Sequence, residues 1–273
     1  MNIRTGILWK VLLAFSLAVL CLAPGAFAQT IDVTSAGNFG YDGVYVSPYY
    51  ATVSGTSNTT VICDDFADDT QLNKTWSVGV TSFSNLTSSL GNTLWGSYYS
   101  TAVYALTGTV LSASQIVGLY DEAAWLAEAL LTQTPGTQSQ ANYSYAVWAV
   151  FDPTSVAAQF TKYGDQTACK AVFGASAWSG STCTAKLGGL LSTAASQTFT
   201  AGEFSNLLIL TPLNNGQVCS PAISGSGTCA GQEFFAVVSE GGAAAAYLLL
   251  AGIVCFGAIR LRSREQMAAK KLA

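Results

Sequence analysis

The stretch SASQIVGLYDEAAWLAEALL, Ser112–Leu131, decides the fold class of this chain. Its apolar side chains at Ile116, Leu119, Tyr120, Ala123, Leu126, Ala127 and Leu130 recur every three or four positions, which is helical spacing. Glu122 and Glu128 take the other side. Upstream the pattern differs. Gly43–Pro48, Tyr50–Val53, Thr59–Cys63 and Trp76–Val80 are rich in β-formers separated by short polar breaks, and read as strands. Downstream, Gln140–Phe151 is expected to form a second helix stopped by Asp152-Pro153. Ala157–Tyr163 and Leu187–Ala195 are shorter helical segments, and strands return at Phe204–Leu210 and Glu233–Val238. Strands, a helical block and strands again predict an α+β fold. Its helices should pack beside an antiparallel sheet or barrel.

Composition narrows the chemistry. The chain of 273 residues is 50% hydrophobic and only 10% charged, against about 25% in an ordinary soluble domain. An extended disordered polyelectrolyte is thereby excluded. There is no histidine, which removes Ser-His-Asp and Cys-His catalysis and His-ligated zinc. A formal charge of −4 gives no basic surface for nucleic acid. No fixed-period repeat, P-loop, Rossmann fingerprint or nucleophile elbow is visible.

Both ends read as addresses. In residues 1–28, Arg4 and Lys10 precede the apolar run Val11–Leu22, Pro24-Gly25 breaks it, and Ala26-Phe27-Ala28 is a small-x-small cleavage site. A secretory signal peptide removed by signal peptidase is expected. At the other end Ala243–Ile259 carries no charge and is followed by Arg260, Arg262 and Arg264. That layout predicts a single transmembrane helix with its basic tail in the cytoplasm. Between them the exported domain, 29–238, has only Lys74, Lys162, Lys170 and Lys186 as basic residues against a large acidic excess.

Residues 239–273 resemble the PEP-CTERM sorting signal: a short Glu-containing motif, one apolar helix, then an arginine cluster. Ser239-Glu240-Gly241-Gly242 stands where that family has Pro-Glu-Pro, and the tail beyond Arg264 is longer than the family's. The resemblance implies an exported, non-enzymatic surface or matrix protein that an exosortase cuts near Glu240. It also implies an association with extracellular polysaccharide. A permanent single-pass anchor is the alternative for the same segment.

Cys21 lies in the signal region and Cys255 in the apolar C-terminal segment, leaving five exported cysteines. Cys169 with Cys183, and Cys219 with Cys229, each span a short interval rich in Gly, Ser and Ala, and are expected as local disulfides. Cys63 is left over, as a buried thiol, an intermolecular bond or a reactive group. The set Cys63-Asp64-Asp65-Phe66, Trp76, Ala123-Ala124-Trp125-Leu126 and Tyr145-Ala146-Val147-Trp148 resembles the core of several PEP-CTERM proteins. More distantly it resembles the thioester domains of bacterial surface adhesins, whose Cys thiol and Gln amide condense to an internal thioester. The position of that Gln is Ser144 here, and serine has no carbonyl carbon to be attacked. Gln138 and Gln140 lie one to two helical turns earlier. The resemblance therefore implies the scaffold without the bond.

Other groups deserve placing. Asp64, Asp65, Asp68 and Asp69 offer hard oxygen ligands for Ca²⁺ but lack EF-hand spacing, so no metal or other cofactor is expected. A surface hydrolase would draw its carboxylate pair from Asp121, Glu122, Glu128, Glu203 and Glu233. Tyr45, Tyr49, Tyr50, Trp95, Tyr98 and Tyr99 either stack on sugars or fill a core.

Overall fold

The computed structural model describes residues 29–36, 40–68, 72–222 and 231–238. Six strands form the frame: β1 (Gln29–Ser35), β2 (Tyr49–Val53), β3 (Thr56–Cys63), β4 (Thr75–Ser82), β5 (Leu207–Asn214) and β6 (Phe234–Val237). They pair antiparallel in the order β1-β2-β3-β6-β5-β4, and β4 pairs back onto β1, closing a barrel. Closure removes the two free edges that an open six-stranded sheet would present. The β2–β3 hairpin turns through Ser54-Gly55, both at positive φ (47° and 86°), the conformation that a two-residue primed turn requires.

Register explains the strand sequences. Val33↔Ala51, Tyr49↔Val61 and Phe234↔Cys63 are direct pairs on one buried face, the barrel interior, where the Tyr49 and Trp76 rings meet Phe234 at 5.9 and 6.2 Å. The outer faces of β1 and β2 look toward solvent, so those strands alternate: Tyr50 is 41% exposed beside buried Tyr49 and Ala51. The outer faces of β3, β5 and β6 are covered by helices, so Ile62, Ile209 and Phe235 are buried as well. Where they are covered, these strands carry short apolar runs, Val61–Cys63, Leu207–Leu210 and Phe234–Val237.

Among the described residues the α-helices lie between β4 and β5. The main ones are α1 (Leu94–Tyr99), α2 (Ala113–Leu131), α3 (Gln138–Phe151), α4 (Pro153–Tyr163), α5 (Gln166–Phe173) and α6 (Gly189–Ala195). Ser112 starts α2 with a capping box: its hydroxyl accepts from Gln115 N, and Ser112 N donates 2.9 Å to Gln115 Oε1. The seven apolar positions read from its periodicity are all buried. Its Tyr120 ring reaches Phe235 of β6 and Phe151 of α3. Helix α3 is buried continuously from Ser144 to Phe151.

Several boundaries depart from the sequence reading. Asp152-Pro153 ends α3 and also starts α4: the Asp152 carboxylate accepts 3.1 Å from Ser155 N and Pro153 takes the first turn. Helix α4 therefore begins at Pro153 rather than Ala157. Gly43–Pro48 is no full strand, because Asp42-Gly43 turn at positive φ and leave only the small ladder Gly40–Tyr41 with Val44–Tyr45. Strand β1 and helices α1 and α5 lie in stretches to which the sequence reading gave no element. The α+β class and the barrel hold. Among the described residues no helix is long and apolar enough to cross a membrane; the expected transmembrane segment and signal peptide lie outside them.

Candidate functional site

Strand β3 ends at Cys63 against helix α3. Cys63 N donates 3.1 Å to Ser47 Oγ, and Ser47 N donates 3.0 Å to Ser144 Oγ. Ser47 thus bridges the two positions that sequence motifs had paired. All three side chains are buried. The Cys63 thiol donates 3.1 Å to the Asp65 carbonyl and forms no disulfide. Burial, then the charges of Asp65 and Asp64, push this thiol well above the ordinary cysteine range. It stays protonated, which makes it a poor nucleophile. Of the alternative amides, Gln140 Oε1 accepts 2.9 Å from Gly136 N, and Gln138 is exposed at the start of α3. The node as built is a hydrogen-bond chain, and Ser144 brings a hydroxyl to it rather than an acyl carbon.

Beside it lies a group of fully buried carboxyls. Glu233 accepts from Leu94 N at 2.8 Å, Tyr120 Oη at 2.6 Å and Thr211 Oγ1 at 2.5 Å, tying α1, α2 and β5 to the entrance of β6. Asp64 has no fixed donor, and its carboxyl can hydrogen-bond only to Glu233, with a proton shared between the two. Burial and the neighbouring Glu233 and Asp65 charges hold Asp64 well above the usual carboxylate range. Asp65 is raised too, by burial and by Asp68. Burial also raises Glu233, against the lowering pull of its three donors and Asp64. A proton on Asp64 with the negative charge left on Glu233 is the arrangement these partners favour, since only Glu233 has donors to receive it.

The barrel has two unlike ends. A cleft of about 600 Å³ opens at the Cys63 end, walled by Tyr45, Tyr49, Phe66 and Trp148 with Asp65 and Asp68. Gln159 and Gln232 add carboxamides to it. A wider hollow of about 970 Å³ opens at the opposite end, with Leu208, Leu210 and Ala236 inside and the neutral side chains of Ser54, Ser57 and Asn58 on the rim. Three strands reach both. Tyr49 and Val53 bracket β2, Asp65 and Thr56 lie beyond and at the start of β3, and Gln232 and Val237 bracket β6. An eight-residue strand separates the two ends by roughly 25 Å.

The remaining candidates disperse. Cys169 and Cys183 form the expected disulfide, joining α5 to the short strand Thr182–Cys183. Cys219 is also disulfide-bonded, and Cys229 lies outside the described residues. So do Ser239, Glu240, Gly241, Gly242, Arg260, Arg262 and Arg264. Asp121 and Glu122 are raised to about 6 and about 7, mainly by burial and then by Glu203 and Asp121 respectively. Glu128 accepts from Asn206, and Glu203 caps Thr200. These acids do not converge with Glu233. Trp95 stacks on Phe151 in the core at 5.2 Å, whereas Tyr45 and Tyr50 face solvent. No group of three metal-ligating side chains occurs among the described residues, and Asp69 lies outside them. Sequence reasoning missed Ser47, Gln159 and Gln232, which reach the site only through tertiary pairing.

No protein-family model matches the sequence, and neither does any curated protein. One solved structure shows a distant structural resemblance, the N-terminal thioester domain of fibronectin-binding protein SfbI from Streptococcus pyogenes. It is 10% identical, with 80% of this chain and 96% of that chain covered and a TM-score of 0.37.

Proposed function

We propose that this chain is an exported, non-enzymatic surface or matrix module, delivered through its C-terminal segment and presenting the Cys63 end of its barrel outward. The supporting observation is the placement of Gln29 and Val238. Both line the hollow at one end of the barrel, while the aromatic and acidic cleft opens at the other. A module whose leader and sorting segment join at one end carries its cleft away from the membrane. The Cys169–Cys183 disulfide suits an oxidising compartment. The protonated thiol of Cys63 and the absence of an acyl carbon at Ser144 argue for a scaffold rather than a reactive adhesin. In this reading Glu240 is recognised by an exosortase-type protease, and the arginines retain the apolar segment until cleavage.

Intact mass of the protein isolated from its native host, alkylated after denaturation without reduction, tests this reading. A C-terminus near Glu240, one alkylated thiol and no loss of ammonia are expected. A C-terminus at Ala273 would overturn proteolytic sorting in favour of a permanent anchor. Loss of about 17 Da with Cys63 unlabelled would overturn the inert scaffold in favour of a thioester.

A further inference from the structure

The loop that walls one side of the cleft is tied down by a pair of carboxyls. Residues 40–45 form the short ladder of Gly40–Tyr41 with Val44–Tyr45, and Gly40, Gly43, Val44 and Tyr45 line the cleft. The loop also rests on helices α3 and α4 and the start of α5. Tyr145 Oη donates 3.0 Å to the Tyr41 carbonyl, and Gln159 Nε2 donates 2.6 Å to the Asp42 carbonyl. Gly43, at φ 77°, passes so close to the Tyr163 hydroxyl that a Cβ would overlap it. Asp165 caps α5 by accepting 2.8 Å from Ala168 N; it also accepts from the Tyr41 hydroxyl and meets the Asp42 carboxyl. Asp42 Oδ2 is buried and no fixed donor among the described residues reaches it, so the two carboxyls bond only by sharing a proton. With two fixed donors, Asp165 keeps the negative charge and Asp42 holds the proton. Burial, then the Asp165 charge, push Asp42 up to about 6. Tyr41 and Tyr145, both raised by burial, stay neutral. Tyr163, and Lys162 over its ring at 5.2 Å, are the other titratable groups packed here.

We infer that residues 40–45 are an acid-closed flap over the cleft, latched by the Asp42–Asp165 carboxyl pair and released when Asp42 ionises. Ionisation sets two negative charges face to face and leaves the loop held by the Gln159 and Tyr145 bonds, whose carbonyl acceptors water can also serve. In the open loop Asp42 faces water and titrates at about pH 4, as an ordinary carboxyl does. Its proton is held more tightly in the closed loop, so the latch is fully present below about pH 4 and is lost as pH rises through about 6. Opening becomes easier across that window by at most about a hundredfold and then levels off. Solvent screening of this part-exposed pair lowers that ceiling, and tenfold is the expected minimum. Val44 and Tyr45 move with the flap and widen the mouth of the cleft, whereas Cys63, Asp64 and Glu233 sit on other elements. The latch does not depend on how the C-terminal segment is processed.

Backbone hydrogen exchange of the native-host protein tests it, followed by quench-flow mass spectrometry from pH 4.5 to 7.5 and divided by the intrinsic rate at each pH. Protection of residues 40–45 should fall tenfold or more and level off above about pH 6. The β3 amides of Val61–Cys63 report global unfolding, and should stay at least a hundredfold better protected than the loop at every pH. Asp42→Asn keeps a side chain that tolerates the positive φ of 49° and donates to Asp165 without ionising. Its loop should hold the acid level of protection up to pH 7.5. Asp64→Asn, in the other buried carboxyl group, should leave the loop profile unchanged. Loop protection that does not change with pH overturns the inference. So does the parent's pH dependence persisting in Asp42→Asn, or loss of protection in the loop and in Val61–Cys63 together.

Discussion

The two ends of the barrel are made of the same strands and differ in nearly every other respect. At the end where Gln29 and Val238 sit, the rim is hydroxyl and amide groups over an aliphatic hollow, with no charged side chain. At the Cys63 end, Asp64, Asp65 and Glu233 are fully buried within a few residues of one another in space, under an aromatic wall. Burying carboxyls is costly, and a fold tolerates it only where donors or protons offset the charge. The acidic end is where the fold is constrained.

The sharpest way to break that contrast is to remove the acceptor that holds the acidic end together. Glu233→Ala leaves Leu94 N, Tyr120 Oη and Thr211 Oγ1 without their shared partner, and should cost about 4 kcal/mol by denaturant unfolding. Glu233→Gln, which keeps an acceptor, should cost less. Cys169→Ala, away from both ends, should cost about 3 kcal/mol from the loop-closure effect of a 14-residue separation. Ser144→Ala strips the acceptor from Ser47 N, a buried donor, and should cost about 1–2 kcal/mol. At the neutral end, Ser57→Ala should stay within about 0.5 kcal/mol of the parent. Equal costs at Ser57 and Glu233 would erase the distinction.

The acidic end also sets the pH response. Asp64, Asp65 and Glu233 have folded pKa values raised above their unfolded ones, so the folded state holds protons more tightly. Their contribution is fully present below the unfolded carboxylate range, about pH 4, and is lost as pH rises through the raised folded values. The thermal midpoint should therefore fall from mildly acid toward neutral and alkaline pH. Asp64→Asn, which cannot ionise, should flatten the profile. A midpoint that rises with pH over this range would contradict the assignment.

Much of the fold was legible because local periodicity and tertiary burial agree. Helix α2 shows its buried stripe in sequence, and β5 and β6 open on short apolar runs, Leu207–Leu210 and Phe234–Val237, covered on both faces. Strand β1 escaped because its alternation in Gln29–Ser35 is short and half polar. Barrel closure was hidden for a different reason: β4 and β5 pair across the whole helical block, at a separation that no local pattern encodes. In the site, motif spacing paired Cys63 with Ser144 but not Ser47, which joins them through backbone N–H groups. Glu233 was visible only as one acid among several. Its partners lie 139, 113 and 22 residues away, and only packing distinguishes it from Glu128 or Glu203.

The most direct test of the outward orientation uses a membrane-impermeant maleimide on intact cells of the native host, with Arg260, Arg262 and Arg264 retained in the chain. Single cysteines are introduced at Tyr45, in the cleft, and at Ser57, on the opposite rim; both side chains are exposed, while Cys63 is buried. Tyr45→Cys should label markedly faster than Ser57→Cys in cells, and the two should label alike in the detergent-solubilised protein. Equal labelling in cells, or faster labelling at Ser57, would contradict the account.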